Sequence, residues 1–263
     1  MNARYFDAHC HVQFEHYVPD RDALIERMQE RGIAGMVVGV DRETSQQALA
    51  LVQNHEHLFA SVGRHPNHEE PFEEEVFQKL AESPKVVAIG ECGLDYYRPA
   101  AVTEDLKKVQ QAIFKKHITL AATCDKPLII HARPSKGTHD AYQDLIGMLQ
   151  EGKARHPHLR GDVHFFVGGI EEMQALTTLG FTVSFTAVIT FAREYDAVLR
   201  AAPLANILSE TDAPYVAPAS RRGQRNDPLA VEEVVAKIAE IRGEDPEVVR
   251  EALLQNAKRL FSV

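Results

Sequence analysis

Cysteine is scarce in this chain, with three residues in 263, at Cys10, Cys92 and Cys124. An odd count with no CxxC pair points away from a disulfide framework and from a cysteine-based zinc site. No apolar run is long enough to span a bilayer. The opening "MNARYFDAHC" lacks the basic, apolar, small-residue order of a secretion signal, so a reducing cytoplasm is the expected compartment. Positive charge is also in deficit: 29 Lys and Arg against 38 Asp and Glu give a net charge of −9. That excludes broad, non-specific coating of nucleic acid or an anionic membrane and leaves room for a local basic site. A glycine-rich phosphate fingerprint is missing after the first strand. What is present is ordinary globular material, 44% hydrophobic and 25% charged, enough to bury a substantial core. No linker or low-complexity stretch interrupts it, and residues 1–263 read as a single domain.

Short β-rich runs alternate with longer amphipathic stretches. The strand candidates are "YFDAHCH" (5–11), "GMVVGV" (35–40), "LFASVG" (58–63), "VVAIGE" (86–91), "PLIIHA" (127–132), "GDVHFF" (161–166), "FTVSF" (181–185) and "NILSET" (206–211). Between them lie helical patterns such as "DRDALIERMQERG", "TEDLKKVQQAIFKKHITLAATC" and "DPLAVEEVVAKIAEIRG". About eight strand–helix repeats in this length predict an α/β fold of the TIM (β/α)8 barrel type, with a doubly wound open sheet as the alternative.

Such barrels collect their chemistry at the C-terminal ends of the strands. His9 and His11 end the first candidate strand two residues apart, so both imidazoles face one point while Cys10 faces away. Glu91 ends the fourth, His131 the fifth, His164 lies in the sixth and Asp212 follows the eighth. One HxH pair among 13 histidines could be accidental, but six ligand-type residues at strand ends are not. They predict a metal centre.

The stretches "FDAHCH", "GRHP", "AIGECGLDYYR", "PLIIHAR", "VHFFVGG", "LGFTVSFTAVITF", "ETDAPYVAP", "RGQRNDP" and the terminal "NAKRLF" closely resemble the TatD family of metal-dependent hydrolases. These are deoxyribonuclease-like members of the amidohydrolase superfamily. The resemblance covers essentially the whole chain and implies a TIM barrel with two divalent cations. It implies that His9 and His11 hold the first, that Glu91 bridges to the second, and that His131 and His164 complete the second set. Asp212 is implied to ligate near the attacking water. Three departures bear on specificity: Val167 replaces a serine after the sixth strand, Gln13 follows the opening pair, and the third-strand motif reads Gly63-Arg64-His65-Pro66-Asn67.

The chemistry suits these assignments. A carboxylate such as Glu91 can give one oxygen to each of two ions, and Asp212 can accept the water's proton as general base; its bland alternative is a helix cap or turn residue. An imidazole-rich mixed set fits zinc or manganese and can also work with magnesium. Glu210 shares Asp212's face and either supports the site or caps a barrel layer. Cys10 and Cys92 are expected to be buried packing residues, and His55, His57, His117, His156 and His158 surface residues. His65 either hydrogen-bonds a substrate oxygen or is a solvated loop imidazole. Arg64, Arg98, Arg133, Lys136, Arg221, Arg222 and Arg225 follow strand ends and form a candidate basic rim for an anionic substrate, unless they are ordinary solvated charge. Arg133 and, from the family element "RGQRNDP", Arg225 and Asn226 are its leading members.

The function expected is a metal-dependent phosphodiesterase acting on DNA ends or single strands, or on a small anionic phosphoester. The alternative is a hydrolase of a small ester, amide or lactone. A purely binding barrel is disfavoured, since it has no use for six ligands.

Overall fold

The computed structural model describes residues 3–98 and 102–263. Eight parallel strands form one sheet in sequential order: β1 (Tyr5–Cys10), β2 (Ile33–Val38), β3 (Leu58–Val62), β4 (Val86–Asp95), β5 (Leu128–Arg133), β6 (Gly161–His164), β7 (Thr182–Phe185) and β8 (Ile207–Ser209). These are short, apolar runs of the kind buried on both faces, as a parallel barrel requires. The helices between them carry local signals. Thr103 caps Glu104–Cys124 by accepting the Leu106 N–H at 3.1 Å. Gly243, at φ 68°, ends Val231–Arg242 in a left-handed turn. The stretch "DPLAVEEVV" splits, because Asp227 and Pro228 start a short 3-10 turn before the α-helix begins. No described helix is long and apolar enough to cross a membrane.

The sheet closes on itself at the β8–β1 seam. Asp212 N donates to His9 O at 2.8 Å, and His11 N donates to Ala213 O at 2.8 Å. Below these bonds a side chain takes over from the backbone. Asp7 accepts from Thr211 N at 2.8 Å and from Thr211 Oγ1 at 2.6 Å. Asp7 is fully buried, and burial pushes its carboxyl well above the usual range. Truncating it leaves a buried N–H and a hydroxyl without partners, each worth about 1–3 kcal/mol. Asp7→Ala should therefore cost about 2–5 kcal/mol in urea unfolding; an unchanged midpoint would show that the seam does not depend on it.

The barrel interior is filled, not hollow. Phe6, Ala8, Ala34, Met36, Val38, Ala88, Ile129 and Leu208 form one buried cluster with Leu254, Ala257, Leu260 and Phe261 of the last helix, Pro246–Phe261. This helix seals the end where the strands begin, with Phe261 stacked on Phe6 at 5.6 Å. A second, larger cluster lies between strands and outer helices and includes Cys10 and Cys92.

Two strands depart from simple alternation, and both carry candidate ligands. Asp7 and Cys10 of β1 pair with Gly35 and Val37 of β2, so β1 holds one extra residue. Ile89 and Cys92 of β4 pair with Leu128 and Ile130 of β5 in the same way. A bulge reverses the faces of the residues beyond it. Phe6 and Ala8 face inward, and strict alternation would send His9 outward; the bulge returns His9 and His11 to the inside and turns Cys10 out. In β4 the bulge does the same for Glu91. Glycines at 90 and 93 make this possible, at φ 145° and 132°, where an added Cβ would collide with the carbonyl oxygens of Ile129 and His131.

Candidate metal centre

The side chains of His9, His11, Glu91, His131, His164 and Asp212 meet at the C-terminal mouth of the barrel. Glu91 is the hub. Its Oε2 lies 3.5 Å from His9 Nε2, while its Oε1 lies 2.9 Å from His164 Nε2, 3.1 Å from His131 Nδ1 and 3.5 Å from His65 Nε2. Asp212 completes the first side, its Oδ1 3.6 Å from His11 Nε2 and 3.9 Å from His9 Nε2. Asp212 sits at φ 52°, a left-handed conformation that is uncommon outside glycine and fixes its carboxylate over the β8–β1 seam.

The protonation pattern fits a cation. His11 Nδ1 lies 2.8 Å from the Val38 carbonyl, which can only accept, so this nitrogen carries the proton. The His11 Nε2 lone pair therefore points into the site, 3.1 Å from His9 Nε2. His131 Nε2 lies 3.1 Å from the Asp95 carboxylate, which again places the proton outward and leaves Nδ1 facing Glu91. These converging nitrogens and ionised carboxylates need positive charge among them, as protons on His131 and His164 or as a bound cation, and this donor set suits an intermediate divalent metal. His9 Nδ1 and His164 Nδ1 are buried with no hydrogen-bond partner.

The electrostatics agree. Burial opposes charge on Glu91, but the His164 and His65 rings and hydrogen bonds from His131 and His164 hold its carboxyl well below the usual range. Burial likewise opposes ionisation of Asp212, and the His11 contact with the fields of His9 and His164 outweighs it. Burial lowers His9, and pushes His65 down to about 3. Burial also disfavours charge on His164, yet the Glu91 and Glu210 carboxylates raise it well above the usual imidazole value; His131 is raised by Asp95 and Glu91. In the metal-free protein both rings hold protons below these raised values, and a cation must displace them. Metal uptake should therefore release protons, and affinity should fall by about tenfold per pH unit for each proton displaced as pH drops below the raised values. Calorimetry in two buffers of different ionisation enthalpy measures the release; uptake independent of pH would contradict it.

Three carboxylates behind the site were not among the sequence candidates. Asp95 is fully buried at the end of β4 and orients His131, while also accepting from Asn67 Nδ2 at 2.7 Å. Asp7 accepts from His9 N at 3.3 Å. Asp162 joins Glu210 through Ser184, whose hydroxyl lies 2.6 Å from Asp162 Oδ2 and 2.8 Å from Glu210 Oε2. One hydroxyl proton cannot serve both, so one carboxyl must carry its own; burial and the Glu210 charge raise Asp162 to about 7. Glu210 resolves to a support. It accepts from Phe165 N at 2.6 Å, fixing the left-handed turn that ends β6, and its Oε1 stands 3.7 Å from His164 Nδ1.

The basic rim contracts sharply. A cavity of about 470 Å³ opens over the site, and of the seven proposed residues only Arg98 and Arg133 line it. Arg225 does not reach it: its guanidinium binds Asp20 at 2.6 and 2.8 Å and lies over the Tyr17 ring. Asn226 is fully buried, its amide bracing Thr211 O and Val216 O. Arg221 pairs with Asp227 at 2.8 Å, and Arg64 is buried with its Nη2 on His68 O. Lys136 is exposed outside the cavity lining.

His65 lines the cavity and is buried, not solvated. His57 and His117 are also buried, contrary to expectation. His117 Nε2 accepts the Arg64 N–H at 3.0 Å while Nδ1 donates to Ile113 O, so this neutral ring braces the turn that carries His65. Of the three departures, Val167 lines the cavity, whereas Gln13 is outside its lining and shares the Val38 carbonyl with His11.

Comparison with known proteins agrees with this geometry. The sequence profile of the TatD related DNase family matches residues 6–262. The metal-dependent hydrolase YabD of Bacillus subtilis is 33% identical across 98% of this chain and 99% of its own length. A protein of Erwinia tasmaniensis named 3'-5' ssDNA/RNA exonuclease TatD is 32% identical across 98% of this chain and 100% of its own. The crystal structure of the TatD homologue YjjV from Escherichia coli superposes with a TM-score of 0.88 at 30% identity, covering 100% of both chains.

Proposed function

The chain belongs to the TatD related DNase family and is a metal-dependent hydrolase, and from that premise we propose that it is a phosphodiesterase that shortens single-stranded or frayed DNA ends with two divalent cations. The observation that carries this reading is the division of Glu91: Oε2 toward His9, Oε1 toward His131 and His164. With this carboxylate, His9, His11 and Asp212 would hold one cation, and His131 and His164 would hold the other. Zinc or manganese suits the imidazoles, and magnesium the carboxylates. Bound cations of this kind lower the pKa of water and polarise a phosphoryl oxygen.

The chain's own residues supply the rest. Asp212, held ionised at the mouth, takes the proton of the attacking water. Asp95 keeps the His131 proton outward, and Glu210 anchors the turn after His164. His65, kept neutral by burial, can donate one hydrogen bond to a non-bridging substrate oxygen. The site sits inside the barrel mouth, and the chain as a whole is acidic. A flexible single-stranded end can bend into it, whereas the middle of a stiff duplex meets the rim first. The 32% identical exonuclease relative supports a strand end as substrate.

The test compares linear single-stranded DNA, closed circular duplex and a neutral carboxyl ester on metal-reloaded protein. Stepwise shortening of the single strand with little action on the circle is expected. Hydrolysis of the ester alone would overturn the nuclease reading in favour of a small-molecule hydrolase.

A further inference from the structure

The cavity over the metal ligands has two unlike walls. Arg98, Arg133 and His68 stand on the β3–β5 side, while Phe165, Val167, Val188, Tyr195, Tyr215 and Val216 make an apolar wall on the β6–β8 side. We propose that Arg133, with Arg98 beside it, docks the phosphate next to the reacting one while a base rests on the apolar wall, so that this site takes a strand of at least two phosphates. The inference rests on the phosphodiesterase reading above and deepens it.

Placement comes first. Arg133 is two residues beyond His131 on β5, so the two share a face, with Arg133 roughly 6.6 Å closer to the mouth at 3.3 Å per residue. That is about one phosphate step along an extended strand. A phosphate reacting beside His131 thus puts its neighbour at the level of Arg133.

Availability comes second. Two other arginines of the proposed rim are neutralised, Arg225 by Asp20 and Arg221 by Asp227, and Arg222 lies over the Phe191 ring outside the cavity lining. Among the described residues the Arg133 side chain forms no ion pair and no hydrogen bond. Its guanidinium carbon lies 4.1 Å from the centroid of the Tyr97 ring. Stacking occupies the face of the guanidinium and leaves its in-plane N–H donors free, the geometry that binds phosphate in pairs. Arg98 is exposed and only 4.0 Å from Asp95 Oδ2 through Nε, too long for a direct hydrogen bond.

Surface character comes third. The exposed large aromatics among the described residues are Tyr97, Phe191 and Tyr215, which follow β4, β7 and β8. All three therefore stand on the mouth side of the barrel. Exposed aromatic faces beside arginines form a stacking platform for bases, tolerant of sequence. A compact phosphomonoester would leave both the platform and Arg133 unused.

The test uses metal-loaded wild type, Arg133→Ala and Arg98→Ala against a ten-residue oligothymidylate and bis(4-nitrophenyl) phosphate, which has one phosphate and no neighbour. Arg133→Ala should raise KM for the oligonucleotide about 10–100-fold, the value of a hydrogen-bonded charge contact. Both constants for the aryl diester should stay within about threefold of wild type. The slope of log(kcat/KM) against log salt for the oligonucleotide should flatten by about 0.7, one single-strand phosphate contact. Arg98→Ala, at an exposed side chain, should give the same selective loss in smaller measure and carries the test if Arg133→Ala does not fold. Equal losses on both substrates, or an unchanged oligonucleotide KM and salt slope, would overturn the inference alone. A wild type that cleaves the aryl diester but no oligonucleotide overturns the two-phosphate inference and the strand-end substrate. A wild type that cleaves neither overturns the phosphodiesterase reading itself.

Discussion

His9→Ala combined with His11→Ala is expected to lower turnover by about 10³-fold or more, the several kcal/mol contributed by a cation acting as Lewis acid and water activator. The two Nε2 atoms stand 3.1 Å apart and face Asp212 and the Oε2 side of Glu91, so the double change empties that side of the cluster. The fold should survive. The seam bonds at these positions are made by backbone atoms, Asp212 N to His9 O and His11 N to Ala213 O. The barrel is filled by Phe6, Ala8, Met36 and their apolar neighbours, not by imidazoles. Circular dichroism unchanged with activity lost is the expected pair of results; full activity would make the HxH pair incidental.

Asp212→Asn should separate chemistry from binding. The amide keeps the side chain's shape and one oxygen beside His11, but it cannot take a proton from water. Loss of a general base costs about 10²–10⁴ in rate. The metal content should change little, in contrast to Glu91→Ala, which removes the carboxylate that contacts His9, His131 and His164. Equal kcat for Asp212→Asn and wild type at saturating metal would remove Asp212 from the proton transfer.

The strands were legible because a parallel barrel buries both faces of each one, leaving apolar runs bounded by turn residues. β3 at Leu58–Val62 and β7 at Thr182–Phe185 lie within a residue of their expected ends. The six candidate ligands, which the fold brings together, were legible for a different reason: imidazoles and carboxylates are conspicuous at the ends of apolar strands. What alternation could not supply is the pair of bulges. The HxH pair faces inward only because β1 carries an extra residue below it, and the need for Gly90 and Gly93 appears only once β5 is alongside. Asp95 did leave a signal, four residues beyond Glu91 and so on the same face of the strand. Asp7 and Asp162 left none, since their partners Thr211 and Ser184 are remote in sequence. The arginines failed for the same reason. Arg225 is claimed by Asp20, 205 residues away, and pattern along the chain carries no trace of that pairing.

The central claim is that one carboxylate, Glu91, is shared by two cation sites. Elemental analysis of chelator-stripped, reloaded protein tests it most directly. The account predicts about two divalent ions per chain in the wild type and about one in the His9→Ala, His11→Ala variant. Saturation of the wild type at a single ion, or equal content in the two proteins, would contradict it.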